Sequence, residues 1–187
     1  MMKKILLPLL LIALAALPGC AKRAAICCPC PAEDQLSKEL MLRLAQVRSL
    51  HHKADLMLKT EDPAGAIQAV RQILRLDLHS RWPEAEEARL DATARLATLL
   101  VQTGKAEQAL QEVEGGLKGS TRESFYLSNL HSVRGEVLEA QVKSLDDAGK
   151  KEDARALARQ AIAAFEASIA INRRLQEKLG KGAATEE

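Results

Sequence analysis

Residues 104–110 read Gly104-Lys105-Ala106-Glu107-Gln108-Ala109-Leu110, and residues 149–155 read Gly149-Lys150-Lys151-Glu152-Asp153-Ala154-Arg155. The frame Gly-Lys-x-acidic/polar-x-Ala returns after 45 residues, and Glu61 to Ile67 holds it more loosely 43 residues earlier. In each copy a helix-breaking position separates two stretches whose apolar residues recur with helical spacing. Three such pairs at this period predict stacked helical units, none able to bury its apolar face alone.

The stretches on either side agree. A first helix carries Leu36, Leu40, Leu44, Val47, Ala54 and Leu58 after the N-cap candidate Asp34. Asp62 and Pro63 open a second, which buries Ala66, Ile67, Val70, Ile73 and Leu74 and ends around Asp77. Trp82-Pro83 opens a third, about 83 to 103, with Ala85, Ala88, Ala92, Leu96, Leu99 and Leu100 inward. A fourth runs from Lys105 to about Glu114 and is expected to end at Gly115-Gly116. Ser120-Thr121-Arg122-Glu123 reads as a capping box for a fifth, ending at Asp147. A sixth spans about Lys150 to Leu179, with Gly180 as its C-cap. Composition points the same way: of 187 residues, 31 are Ala and 30 Leu, against only four aromatics. Ala and Leu head the helix scale, whereas strands draw on aromatic and β-branched residues. The expected fold is all-α, three antiparallel hairpins over residues 34–180, with a polar tail at 181–187.

The first twenty residues are of another kind. Met1-Met2-Lys3-Lys4 precedes the apolar run Ile5 to Leu17 and then Pro18-Gly19-Cys20. Thirteen helical residues rise only about 20 Å, short of a hydrocarbon core of about 30 Å, so residues 1–19 read as a secretory signal. Leu17-Pro18-Gly19-Cys20 resembles the bacterial lipobox. That resemblance implies cleavage before Cys20, lipidation of its thiol and acylation of its amine. Ala21, where Asp marks inner-membrane retention, implies the periplasmic side of the outer membrane. Two or more acyl chains make such an anchor stable. Losing Lys3 and Lys4 with the signal turns 27 cations against 25 acids into equal numbers. Net charge therefore argues for no nucleic-acid partner.

Residues 20–33 read as a tether. Cys27, Cys28 and Cys30 crowd between prolines. Cys27 to Cys30 has C-x-x-C spacing, but a redox motif of that type belongs to a βαβ fold, and the chain has no strand pattern. Zinc would need a fourth ligand and a scaffold. These thiols are expected to oxidise in the periplasm, and an odd number leaves one for an external partner or free.

The 104–155 frame also resembles the tetratricopeptide repeat, W-x₂-L-G-x₂-Y then A-x₃-F. In the middle unit Thr93, Leu96-Ala97, Leu100, Ala109 and Val113 occupy those places. In the last they are Leu138, Gln141-Val142, Leu145, Ala154 and Ala158; in the first, Leu50, Lys53-Ala54, Met57, Ala66 and Val70. The aromatics are replaced by smaller residues, and the period exceeds the family's 34. The resemblance implies a short solenoid that binds a protein or peptide; a non-repetitive helical bundle is the other architecture.

Catalytic patterns are missing from the sequence: no H-E-x-x-H, no G-x-S-x-G, no phosphate-cradling glycine loop. His51 and Asp55, four apart on one helix, form at most a His–Asp pair. The chain is expected to be no enzyme, to need no metal or cofactor, and to act as a scaffold or adaptor. The alternative is a self-associating or accessory subunit of an envelope machine. Candidate partner-binding residues are Trp82, before Pro83, Tyr126 on the inner side of the fifth helix, and Ile169 and Leu175 near the end of the sixth, where the chain is expected to meet a partner or a second copy.

Overall fold

The computed structural model describes residues 38–78, 82–120 and 122–183. Cys20, Cys27, Cys28, Cys30 and His79 lie outside the described residues, as do the signal, the tether and Asp34. Within the unit Leu36–Glu187 the described residues form six helices and no strand. They are α1 (Lys38–Lys59), α2 (Pro63–Leu74), α3 (Pro83–Gln102), α4 (Ala106–Lys118), α5 (Phe125–Asp147) and α6 (Lys151–Ala183).

The three short turns within the pairs α1–α2, α3–α4 and α5–α6 are built alike. Each has one residue in the left-handed region: Glu61 at φ 59°, Gly104 at 74° and Gly149 at 74°. The next amide closes the helix end by donating back to a carbonyl: Asp62 to Met57 at 2.8 Å, Lys105 to Leu100 at 2.8 Å, Lys150 to Leu145 at 2.9 Å. These are Schellman closures, which satisfy carbonyls that a helix end leaves open. The same residue then starts the next helix, its carbonyl accepting from Ala66, Ala109 or Ala154. The alanine of the sequence frame thus falls one turn into each second helix, where all three copies are buried.

Packing follows chain order. Each helix packs on its pair-mate; α3 packs also on α1 and α2, α5 also on α3 and α4, and α6 on α5 alone among the described helices. The core through α1–α5 is aliphatic, with Leu40, Ile73, Leu96, Leu100 and Leu130 fully buried. Each such side chain contributes about 1.5–3 kcal/mol by leaving water. The α5–α6 seam is different. Ala154, Ala161, Ala164, Ser128 and Ser168 are buried in it, and the Phe165 ring lies over Gly135. Ser128 Oγ donates to the Ser168 carbonyl at 3.0 Å, and Ser168 Oγ lies 2.9 Å from both Ser128 Oγ and Ser132 Oγ. Small residues let these two helices approach closely.

Several helix ends differ from the sequence reading. Gly115-Gly116 do not end α4, which runs on to Lys118 and closes at Gly119. Gly116 lies where α4 meets its neighbours: a Cβ there would stand 3.0 Å from Leu130 Cδ2 and 3.1 Å from Thr93 Cγ2. Ser124, not Ser120, caps α5, accepting from the Leu127 amide at 3.1 Å. Ser120 instead donates to Glu86 Oε1 at 2.8 Å, tying the α4–α5 turn to the start of α3. Nor does Gly180 cap α6, which continues to Ala183. Asp62 and Pro63 open α2 as expected, with the Asp62 carboxylate accepting from the Gly65 amide at 2.8 Å.

Candidate functional site

The first helix of each pair contributes to one cleft. It encloses about 420 Å³ between α1, α3 and the start of α5, with Leu44, Val47, His51 and Asp55 on one wall. Glu84, Glu87, Ala88 and Asp91 form the opposite wall, and Tyr126 enters from α5. His51 and Asp55 are four apart on α1; Asp91 and Arg95 are four apart on α3. Residues at that spacing share a helix face, so the two pairs confront one another.

Arg95 holds the two helices together. Its Nη1 donates to His51 Nδ1 at 3.1 Å, and its Nη2 donates to Asp55 Oδ1. The guanidinium always donates, so His51 Nδ1 must accept and Nε2 must carry the ring hydrogen. Nε2 is buried without a complete hydrogen bond; its nearest ion-pair neighbour is Asp91 Oδ2, at 3.4 Å. Burial pushes the His51 imidazole below its usual value; Asp91 opposes this and Arg95 reinforces it. The ring is therefore neutral at pH 7. The hydrogen bond from Arg95 is the main cause holding the Asp55 carboxyl below the usual carboxylate range. His52 points outward, 3.9 Å from Asp55.

Arg95 fills the space between His51 and Asp55 where a metal would need to sit, and among the described residues no three ligands gather. The lining has no thiol or aliphatic hydroxyl for His51 to activate; Tyr126 carries its only hydroxyl. What the cleft has is an excess of acids: Asp55, Glu84, Glu87 and Asp91 line it, with Arg48 as the one lysine or arginine among them. Arg95 serves Asp55, and Arg122 serves Glu87 at 2.8 Å. Glu84 has no ion pair among the described residues, and Asp91 faces only neutral His51.

Of the residues the sequence singled out, Tyr126 lines the cleft, half-buried, its ring edge-to-face with Phe125 at 5.6 Å. Trp82 does not line it: it precedes α3 with extended backbone and packs half-buried against the core. Neither does Ile169, 58% exposed on α6, nor Leu175, half-buried there. Ile171, between them in sequence, is buried. Arg174 and Lys178 bond Glu123 at 2.7 and 3.2 Å, holding its carboxyl low, so the overhanging turns of α6 find partners just before α5. Asp91 and Arg95 went unnoticed in the sequence. A larger hollow of about 630 Å³ lies between the α3–α4 turn and α5, where Gln141 spends its amide on the Ala106 carbonyl. Lys105 and Glu107 are the ionised residues of its lining, one of each sign. Compared with known proteins, the chain matches no family model, no curated protein and no solved structure.

Proposed function

We propose that this chain is a lipid-anchored periplasmic adaptor whose helical pairs stack as a short solenoid and whose cleft holds a cationic segment of a partner protein. The three matched turns and the strictly sequential packing support the solenoid. The observation that carries the binding role is that neither Glu84 nor Asp91 is paired to a lysine or arginine among the described residues, so that of the four acids lining the cleft two remain available against its single lining arginine, Arg48. Seven residues apart on α3, they stand about 10 Å apart along the helix axis. Two lysines or arginines three residues apart in an extended segment match that spacing, as do two at seven residues in a helix. Tyr126 and Leu44 offer apolar contact between them. In this reading the chain performs no catalysis and needs no cofactor, metal or nucleic acid.

The test is a fluorescence-anisotropy titration with a labelled peptide carrying Lys-x-x-Lys around one aromatic residue. Glu84→Gln with Asp91→Asn should weaken binding about tenfold and flatten its salt dependence, since each lost pair contributes up to about 1 kcal/mol. Equal binding by variant and wild type sinks the cleft. The anchor is tested separately: Cys20→Ser should shift the protein from the lipidated membrane fraction to unprocessed or soluble protein. A second reading has one observation in its favour. Ile162 and Ile169, 56% and 58% exposed, stand seven apart on α6 and offer a contact to a second copy. Sedimentation of wild type against Ile162→Glu with Ile169→Glu decides it.

A further inference from the structure

A second surface of α1 faces away from both the core and the cleft. Lys38, Met41, Leu42, Ala45, Ser49, Lys53 and Leu56 follow one another at i, i+3, i+4, i+7, i+11, i+15 and i+18, a single helical stripe, and Lys59 extends it by three. Every one of these residues is exposed; Met41 is 57% accessible, Leu42 69% and Leu56 62%. Three large apolar side chains on the outer face of one helix, framed by three lysines, are unusual for a surface that meets only water. No acid interrupts the stripe: Asp55 turns to Arg95, and Lys38, Lys53 and Lys59 make no ion pair among the described residues. The other basic helix, α6, mixes its cations with Glu152, Asp153, Glu166 and Glu177.

We infer that this stripe rests on an anionic bilayer surface, the leucines and Met41 entering the headgroup layer and the lysines meeting lipid phosphates. A helix with an apolar strip flanked by cations has the composition of an interfacial segment, and each cation adds to attraction by anionic lipid. Position supports the same occupant. Seventeen residues, 21–37, separate Cys20 from α1, and fully extended they reach at most about 60 Å. This part rests on the anchor proposed above: a lipid on Cys20 keeps α1 at high local concentration over the membrane. Leu44, Val47, His51 and Asp55 of the cleft wall lie on another side of α1, and the two faces adjoin at His52, which lines the cleft edge.

The experiment labels lysines of the full chain with an acetylating reagent and reads each site by mass spectrometry. The chain is compared alone, with vesicles of phosphatidylethanolamine and phosphatidylglycerol at 3:1, and with pure phosphatidylcholine vesicles. Lys38, Lys53 and Lys59 should lose reactivity several-fold on the anionic vesicles only, while Lys105, Lys118 and Lys143 stay unchanged. Leu42→Glu with Leu56→Glu, at positions too exposed to threaten folding, should abolish that protection. Flotation of the same samples reads the anchor independently. A chain that floats while its α1 lysines stay reactive overturns the stripe and leaves the anchor standing; one that neither floats nor is protected overturns both. Equal protection on phosphatidylcholine overturns the anionic surface. Protection without vesicles that grows with protein concentration assigns the stripe to a second copy and overturns the inference.

Discussion

Gly135→Ala is expected to destabilise the fold, although alanine is the better helix former. Gly135 is buried in α5, and a Cβ there would stand 2.5, 2.6 and 2.8 Å from Cζ, Cε1 and Cε2 of Phe165. Carbon atoms prefer about 3.5–4.0 Å, so the ring must retreat by about 1 Å or α6 must move with it. Overpacking of this kind costs about 1–3 kcal/mol, while replacing glycine within a helix returns about 1 kcal/mol. The net expectation is a loss of up to about 2 kcal/mol. Gly115→Ala isolates the second effect, because Gly115 lies in α4 with nothing within 4 Å of its Cβ position. That variant should gain about 0.5–1 kcal/mol.

Urea unfolding followed by circular dichroism at 222 nm measures both. With a slope of about 2 kcal/mol per molar urea, Gly135→Ala should lower the midpoint by up to about 1 M, and Gly115→Ala should raise it by about 0.25–0.5 M. In a Phe165→Ala background the ring is gone and Gly135→Ala should become stabilising, a reversal that only direct contact produces. A rise in the midpoint for Gly135→Ala in the wild-type chain would refute the reasoning. It would mean that Phe165 does not cover Gly135, and that α6 sits on α5 in another register.

Other expectations follow from the turns and the cleft. Glu61→Gly should stabilise by about 0.5–1 kcal/mol and Gly104→Ala should destabilise by about 1 kcal/mol, since a left-handed backbone suits glycine; thermal melts of both variants check this. The lowered pKa of His51 means that the unfolded chain takes up the proton first. Stability should therefore fall as pH drops through the usual histidine value of 6.5, and should level off only below the folded-state value. His51→Gln should flatten that limb, and a matching variant at His131, which burial also pushes down, should flatten it further. Arg95→Met removes the link from α3 to His51 and Asp55. Amide exchange in α1 should quicken several-fold while α6, which among the described helices packs on α5 alone, stays as it was.

The all-helical class was legible because it rests on local chemistry. Ala and Leu at helical spacing, with Pro63, Pro83, Gly104 and Gly149 as punctuation, leave little else for the chain to do. Glycine misled where its reason was tertiary. Gly116 looks like a stop, yet it is a contact point that Leu130 and Thr93 leave no room to enlarge. Gly180 also sits inside its helix, and nothing in the structure accounts for a glycine there. The capping box at Ser120 failed for a similar reason: a serine that can cap can equally reach Glu86 on another helix. His51 and Asp55 could be paired by counting four residues along α1. Their real partner could not, because Arg95 is 40 residues beyond Asp55 and reaches it only through the packing of α3 on α1. One signal was available. Asp91 and Arg95 repeat the i, i+4 spacing of His51 and Asp55 in the corresponding helix of the next pair.

Net charge concealed the rest. Equal numbers of cations and acids after removal of the signal describe a neutral surface, but helices sort charge by face. On α1 the sector toward α3 meets Glu84, Glu87 and Asp91, whereas the outward stripe carries Lys38, Lys53 and Lys59 with no acid. Exposed charges more than about 10 Å apart are largely screened in physiological salt. On the reading proposed above, a bilayer would meet the lysine stripe and a cationic peptide the carboxylates. The same separation explains why reversing charge on the stripe and removing charge from the cleft should have independent effects: lysine protection should be lost in one case, peptide affinity in the other, and the double change should equal their sum.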